Sequence, residues 1–338
     1  MRVSLDAMGG DNAPKVEVEG AIEAAREFGV EVILVGDKDK IASEMENHKT
    51  KGLPLNIYHA SQVVNMNDSP TDSYRQKKDS SLLSAVKLVK EGKADAVVSA
   101  GNTGAVMATA LLELGRIKGV MRPAIAAIFP STQGKTLLLD VGANTDCKPK
   151  HLLQFAIMGS VYFKYIAGID KPKVALLSVG EEETKGNELI IETIKLLKKT
   201  NLNFVGNVEG RDILGDKADV IVCDGFTGNV ILKFGESFVS RLFTIFKKEI
   251  ENTSIFISLG ALLISPVLKS IVKRTDYSEY GSAPLLGINA PCFISHGGSN
   301  VKAIKNAIKT AADSVSSKVI FHIKEEISRY MEEWNNDL

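Results

Sequence analysis

Two turns carry the residue types that hold an oxyanion, and each is a version of the other. Gly101-Asn102-Thr103-Gly104 follows the run from Lys93 to Ala100, and Gly225-Phe226-Thr227-Gly228 follows the run from Lys217 to Asp224. In both copies an apolar, β-rich run leads through Gly-x-Thr-Gly into a long apolar-periodic stretch, the pattern of strand, tight turn and helix. The first N–H groups of a helix lack intrahelical partners and lie at the positive end of its dipole. Glycine lets an anion reach them, so each turn suits phosphate or carboxylate. Either copy alone is also what an ordinary α/β turn looks like; the matched flanks favour a duplicated fold with one shared site. Asp224 and Asn229 stand where the first copy has Ala100 and Ala105. The second copy is therefore expected to give more polar contacts, and the first more open backbone.

Other turns add chemistry. Asp6 and Asp11 bracket Met8-Gly9-Gly10, Asp140 leads into Gly142-Ala143-Asn144-Thr145-Asp146, Lys185 and Asn187 lie between Gly180 and Glu188, and His296-Gly297-Gly298-Ser299 precedes the last helical stretch. Lys185 either supplies positive charge to a bound oxyanion or balances Glu181 to Glu183. The aspartates could converge, but without a His cluster or calcium-loop spacing no metal site is predicted. Cys147 and Cys223 have no adjacent His to activate a thiolate. His296 could serve as acid or base, or donate to a backbone carbonyl. Gly134-Lys135-Thr136 is not a P-loop, because Phe129 occupies the place of its first glycine and the fragment opens a strand. No Gly-x-Gly-x-x-Gly is present.

The elements that must position these turns alternate strand and helix, as in a parallel sheet covered on both faces, and the polar turns are expected together on its carboxyl edge. The 338 residues are 44% hydrophobic, enough for a sizeable core, and 41 basic residues balance 41 acidic ones. No global field favours nucleic acid or an acidic membrane surface. Three scattered cysteines suggest neither a disulfide framework nor zinc, and no signal peptide is visible, which together point to the cytoplasm. The polar connection from Ser61 to Asp79 reads as a binding loop or a short exposed helix. From Asn252 to Leu268 no residue is charged, and Gly260 and Pro266 interrupt the run between lysine-containing flanks. That stretch is either an apolar tip at a lipid surface or a buried helix pair or subunit interface.

Seven motifs in order, Asp6-Ala7-Met8-Gly9-Gly10-Asp11, Ser99 to Gly104, Asp140 to Asn144, Lys185-Gly186-Asn187-Glu188, Gly206 to Arg211, Cys223 to Asn229 and Tyr280 to Gly287, closely resemble the bacterial acyl-carrier-protein:phosphate acyltransferase family of phospholipid synthesis. The resemblance covers nearly the whole chain. It implies transfer of a long-chain acyl group from the phosphopantetheine thioester of acyl carrier protein to inorganic phosphate, and use of the acyl phosphate by a membrane glycerol-3-phosphate acyltransferase. It also implies a three-layer α/β/α, isocitrate/isopropylmalate dehydrogenase-like fold with a mostly parallel sheet and two intertwined, pseudo-dyad-related halves. The protein would be a homodimer without metal or organic cofactor, one catalytic unit over residues 1–338 with an apolar tip at 252–274, peripheral to the inner face of the cell membrane.

On this reading phosphate lies on Gly101, Asn102, Thr103, Gly104, Gly225, Thr227 and Gly228, with Lys185 and Asn187 nearby, and attacks the thioester directly. Asn144 or Asn229 would donate to the oxyanion, and Asp6, Asp11, Asp146, Asp224 and His296 would support the turns. Leu259, Leu262, Leu263 and Ile264 would touch lipid. The acidic carrier protein would dock on Lys302, Lys305 and Lys309 or on the Arg75 to Lys78 cluster. One departure from the family pattern is the extra glycine in His296-Gly297-Gly298-Ser299, which bears on the role of His296. A short-chain phosphate acyltransferase using coenzyme A and a non-catalytic scaffold for the carrier protein are the competing readings.

Overall fold

The computed structural model describes residues 1–132, 134–251, 264, 279 and 281–336. Strands β1 (Arg2–Asp6), β2 (Glu31–Gly36), β3 (Leu55–His59), β4 (Ala96–Ser99), β5 (Ala124–Ser131), β6 (Gly134–Leu139), β7 (Val174–Leu177), β8 (Phe204–Val208), β9 (Val220–Val222), β10 (Ala283–Leu286) and β11 (Cys292–Ile294) form one sheet in the order β3-β2-β1-β4-β11-β10-β5-β6-β9-β7-β8. Helices α1 (Lys15–Phe28), α2 (Lys38–Glu46), α3 (Pro70–Gln76), α4 (Ser81–Lys90), α5 (Thr103–Glu113), α6 (Pro149–Ala167), α7 (Glu188–Leu197), α8 (Gly225–Glu251), α9 (Val301–Ser316) and α10 (Val319–Asn336) are the described helices.

Alternation along the strands divides the apolar residues between two faces. Val97, Leu138, Ala175 and Ile221 face one way and pack with residues of α4, α5 and α8. Their neighbours Ala96 and Val98 face α1 and α9, while Leu137, Leu139, Val174 and Val220 face α6, α7 and α10. The result is the expected three-layer α/β/α arrangement. Gly20 of α1 lies against Ile304 of α9, where an added Cβ would fall 2.6 Å from the Ile304 Cβ, so a glycine lets these helices approach closely.

The sheet is not parallel throughout. The pairings β11·β10, β10·β5 and β5·β6 are antiparallel, and the described pairings on either side of them are parallel. Three reversals leave β6, β9, β7 and β8 running opposite to β1, β2, β3, β4 and β11. The expectation of one carboxyl edge is therefore corrected: β4 and β9, which carry the two repeat copies, end at opposite edges. β10 lies in a stretch that shows no clear strand pattern, with Pro284 inside it. The last helical stretch is two helices, broken where Lys318 adopts φ 52°.

The connection from Ser61 to Asp79 contains α3, a short helix begun by Pro70. Of the proposed tip at 252–274, Leu259, Leu262 and Leu263 lie outside the described residues, and Ile264 is exposed. Among the described residues no helix is long and apolar enough to cross a membrane.

Candidate active site

Two clusters of strand-end turns result. At the first edge, β1 and β4 are adjacent and parallel, so the turns after them meet. Asp6 is buried; its Oδ2 accepts from Ser99 Oγ at 2.7 Å, and that hydroxyl accepts the Gly101 N–H at 3.1 Å. Burial raises the Asp6 pKa, opposed by the donors around it. A Cβ on Gly9 would lie 2.7 Å from Asp6 Oδ2 and 2.9 Å from Gly101 N, so only glycine allows the two turns to touch.

Asn102 caps α5: its Oδ1 accepts the Ala105 N–H at 3.0 Å, and its amide donates to the carbonyls of Met66 and Asp68. Its side chain thus ties down the connection before α3 and is not an anion ligand. The N–H groups of Thr103 and Gly104 have no acceptor among the described residues, and Thr103 is exposed. This is the open backbone expected of the first copy.

The turn after β11 closes the first cluster. The Asp11 N–H donates to the Gly297 carbonyl at 2.9 Å, and the Gly298 N–H donates to His296 Nδ1 at 3.0 Å. With Nδ1 accepting, the neutral ring carries its hydrogen on Nε2, which makes His296 a donor. An added Cβ on Gly297 would meet Met66 Cε at 2.3 Å and Asp11 Oδ1 at 3.1 Å, so this glycine lets both side chains close on the turn. From α8, Glu236 faces His296, and burial raises the Glu236 pKa.

The second cluster is built the same way but closes on itself. Asp140 at the end of β6 accepts N–H groups of Ile125, Gly142 and Ala143 on Oδ1, and the backbone and side-chain N–H of Asn144 on Oδ2, at 2.7–3.2 Å. The other Asn144 amide hydrogen goes to the Pro123 carbonyl at 2.7 Å. Both hydrogens are engaged, which corrects the expectation that Asn144 donates to an oxyanion. Asp224 accepts both the N–H and the hydroxyl of Thr227, Gly225 donates to Asn144 O, and Gly228 donates to Asp224 O. The second Gly-x-Thr-Gly is satisfied internally, so its extra polar residues build the turn. Among the first helical N–H groups of α8, that of Phe226 alone has no described acceptor.

Asn229, next to Gly142, keeps a side chain with no described hydrogen bond. Beside it in the sheet, the turn after β7 exposes Lys185 and Asn187. Asn187 caps α7 through Oδ1 at 3.0 Å from the Ile190 N–H. Lys185 does not balance the neighbouring glutamates: Glu181 pairs with Lys217 at 2.7 Å and Glu183 with Lys198 at 2.5 Å. Asp146 is exposed. Burial pushes the Cys147 thiol up to about 12, and the buried Cys223 thiol is also raised, so neither is a ready thiolate.

The repeat strands β4 and β9 end at opposite edges of the sheet and have β11, β10, β5 and β6 between them, about 24 Å at 4.8 Å per strand. One phosphate in one chain cannot touch both repeat turns, which corrects the shared shell. The lysines expected to dock an acidic partner on α9 each have an acid: Lys302 with Glu279, Lys305 with Glu27 and Lys309 with Asp313, at 2.5–3.0 Å. Arg75 on α3 and Lys78 just beyond it are exposed, the latter 4.6 Å from the Tyr74 ring centre. Sequence reasoning missed Glu17 and Glu236, acids inside otherwise ordinary amphipathic helices.

A family model described as fatty acid synthesis protein matches residues 1–322. The chain is 52% identical to a phosphate acyltransferase of Geobacter sulfurreducens, over 99% of this chain and 98% of that one. It is 54% identical to a phosphate acyltransferase of Pelobacter propionicus, over 97% and 94%. In structure it resembles a phosphotransacetylase from Streptococcus pyogenes with a TM-score of 0.61, 16% identity and coverage of 95% and 94%, a likeness of fold. Extent and identity together establish that the chain belongs to the fatty acid synthesis protein family.

Proposed function

We infer that this chain is a phosphate acyltransferase of phospholipid synthesis that takes a long-chain acyl group from acyl carrier protein. The observation that carries the reading is the α5 N-terminus, with the Thr103 and Gly104 N–H groups directed at an exposed turn and no carboxylate side chain capping it. Hydrogen phosphate bound there attacks the thioester carbonyl through an oxygen. A C–O bond forms, the C–S bond breaks, and the phosphate hydroxyl proton ends on the departing sulfur. The protein supplies position and donors, since phosphate dianion is itself the nucleophile.

The second cluster, with Lys185, Asn187 and Asn229, suits the other anion of the reaction, the phosphodiester of the carrier's phosphopantetheine arm, and α8 spans the distance between them. The isocitrate/isopropylmalate dehydrogenase-like description is supported by a chain that leaves the β1–β4 half, builds the β5–β9 half and returns through β10 and β11. Counted outward from the middle, the halves run β4, β1 and β6, β9, so the repeat strand is inner in one and outer in the other.

A homodimer is supported by α8, where Phe226, Val230, Phe234, Phe238, Leu242 and Ile245 form an exposed apolar stripe at helical spacing. Contact of residues 252–274 with lipid completes the proposal; flotation with liposomes should be lost on changing Leu262 and Leu263 to Glu, and retained binding by the folded variant would exclude it. The test of the activity is incubation of pure protein with acyl carrier thioester and phosphate, trapping product with hydroxylamine. Phosphate-dependent hydroxamate is expected; its absence overturns the assignment.

A further inference from the structure

Glu17 stands in the first turn of α1, 1% exposed, and the proposed chemistry does not use it. Pro14 gives α1 no side-chain cap, and the Glu17 carboxyl folds back against the Gly10 turn. The fit is close: an added Cβ on Gly10 would fall 2.0 Å from Glu17 Oε1 and 3.5 Å from the Gly297 carbonyl oxygen. The diglycine is thus held between two buried carboxyls, Asp6 beneath Gly9 and Glu17 beneath Gly10. Glu17 Oε2 is sealed from solvent and has no hydrogen-bond partner among the described residues. Packing against Gly10 accounts for Oε1 but leaves Oε2 without a role.

We propose that Glu17 is a positioning residue for the phosphate substrate: its carboxyl holds the Gly9-Gly10 turn beside the α5 N-terminus and takes up a proton when a dianion binds there. The inference rests on the reading that phosphate binds at Thr103 and Gly104. Burial, with Asp6 and Asp11 adding like charge, raises Glu17 to about 7, so its charge changes in the working range. Those two acids are the charged groups that face it from β1 and the turn. α9, packed against α1, presents Val301 and Ile304 at Gly20, and its Lys305 is engaged by Glu23 and Glu27. A dianion next to the turn opposes ionisation of Glu17, and by reciprocity ionised Glu17 weakens the dianion's binding.

Glu17→Gln keeps the shape and removes the titration. In the wild type the KM for phosphate should rise between pH 6.5 and 8.5 by on the order of tenfold more than in Glu17→Gln, with kcat following one profile in both. The second ionisation of phosphate is common to both proteins and cancels in the comparison. Calorimetry with sulfate, divalent throughout this range, should show proton uptake by the wild type at pH 7.5 and none by Glu17→Gln. This arm keeps the idea testable if the variant folds poorly, since sulfate binding to the wild type without proton uptake overturns it. Thr103→Pro, tolerated at the first helical position, removes one α5 N–H. Should Thr103→Pro raise the phosphate KM while Glu17→Gln tracks the wild type at each pH, the Glu17 proposal fails and the phosphate site stands. Should neither move it, the placement of phosphate fails and takes the proposal with it.

Discussion

Asn144 and Asn229 offer the same amide, and their neighbours give them different work. Asn144 donates both hydrogens inward, to Asp140 and Pro123, and anchors the turn after β6. Asn144→Ala should destabilise the protein by about 1–3 kcal/mol, because Asp140 and Pro123 lose buried donors; a thermal unfolding curve measures it. Asn229→Ala should leave unfolding almost unchanged and raise the KM for the carrier thioester, as the loss of a donor to the phosphodiester of its arm. Lys185→Ala should raise the KM for the carrier thioester and leave that for phosphate alone, which steady-state kinetics with each substrate varied will decide. The sequence displays all these residue types at strand ends, and their candidacy was legible from that. Where each amide hydrogen goes was not, since it depends on carbonyls 21 residues away, as Pro123 is from Asn144.

The strand and helix pattern was legible for most of the chain because apolar periodicity is local: Ser80 caps α4, and Pro149 opens α6. Strand direction is not local. Nothing in the four residues of β10 says that it runs against β11, and that choice, repeated at β5 and β6, parts the two repeat turns. The repeat itself was legible and its meaning was not, because Asp224 satisfies the second turn from within. α8 shows the same limit: its alternating demands, a core face toward β5 and β6 and an outer stripe of aromatics, read in sequence only as a very apolar helix. Phe234→Asp together with Phe238→Asp should convert a dimer to monomers in analytical ultracentrifugation without loss of helical circular dichroism. Each buried side chain contributes about 1.5–3 kcal/mol to such an interface. A variant that remains dimeric would place the subunit contact elsewhere.

Two buried acids, Asp6 and Asp140, seat the turns of the two halves, and Glu17 is a third acid whose burial acts on the stability of the entire fold. Its folded pKa of about 7 exceeds the ordinary glutamate value of 4.5, so between those values the native state holds more proton than the unfolded chain. Stability from this group is therefore greatest below pH 4.5 and falls as pH rises to 7, by roughly 3 kcal/mol. Glu17→Gln should flatten this part of the stability curve in urea titrations at pH 5 and 8; an unchanged slope would assign it to other groups. The seat of α8 has a mechanical consequence. A Cβ on Gly228 would lie 1.9 Å from the Asp140 carbonyl oxygen, so helix and strand end meet backbone to backbone with no side chain to cushion them. The 27 residues of α8 make a lever of about 40 Å. A tilt of about 3° at that seat carries the Glu251 end through about 2 Å but Glu236 through less than about 1 Å, by the same helical rise. Small adjustments around Asp140 are thus magnified at the far end of the helix, while the groups that face His296 keep their register.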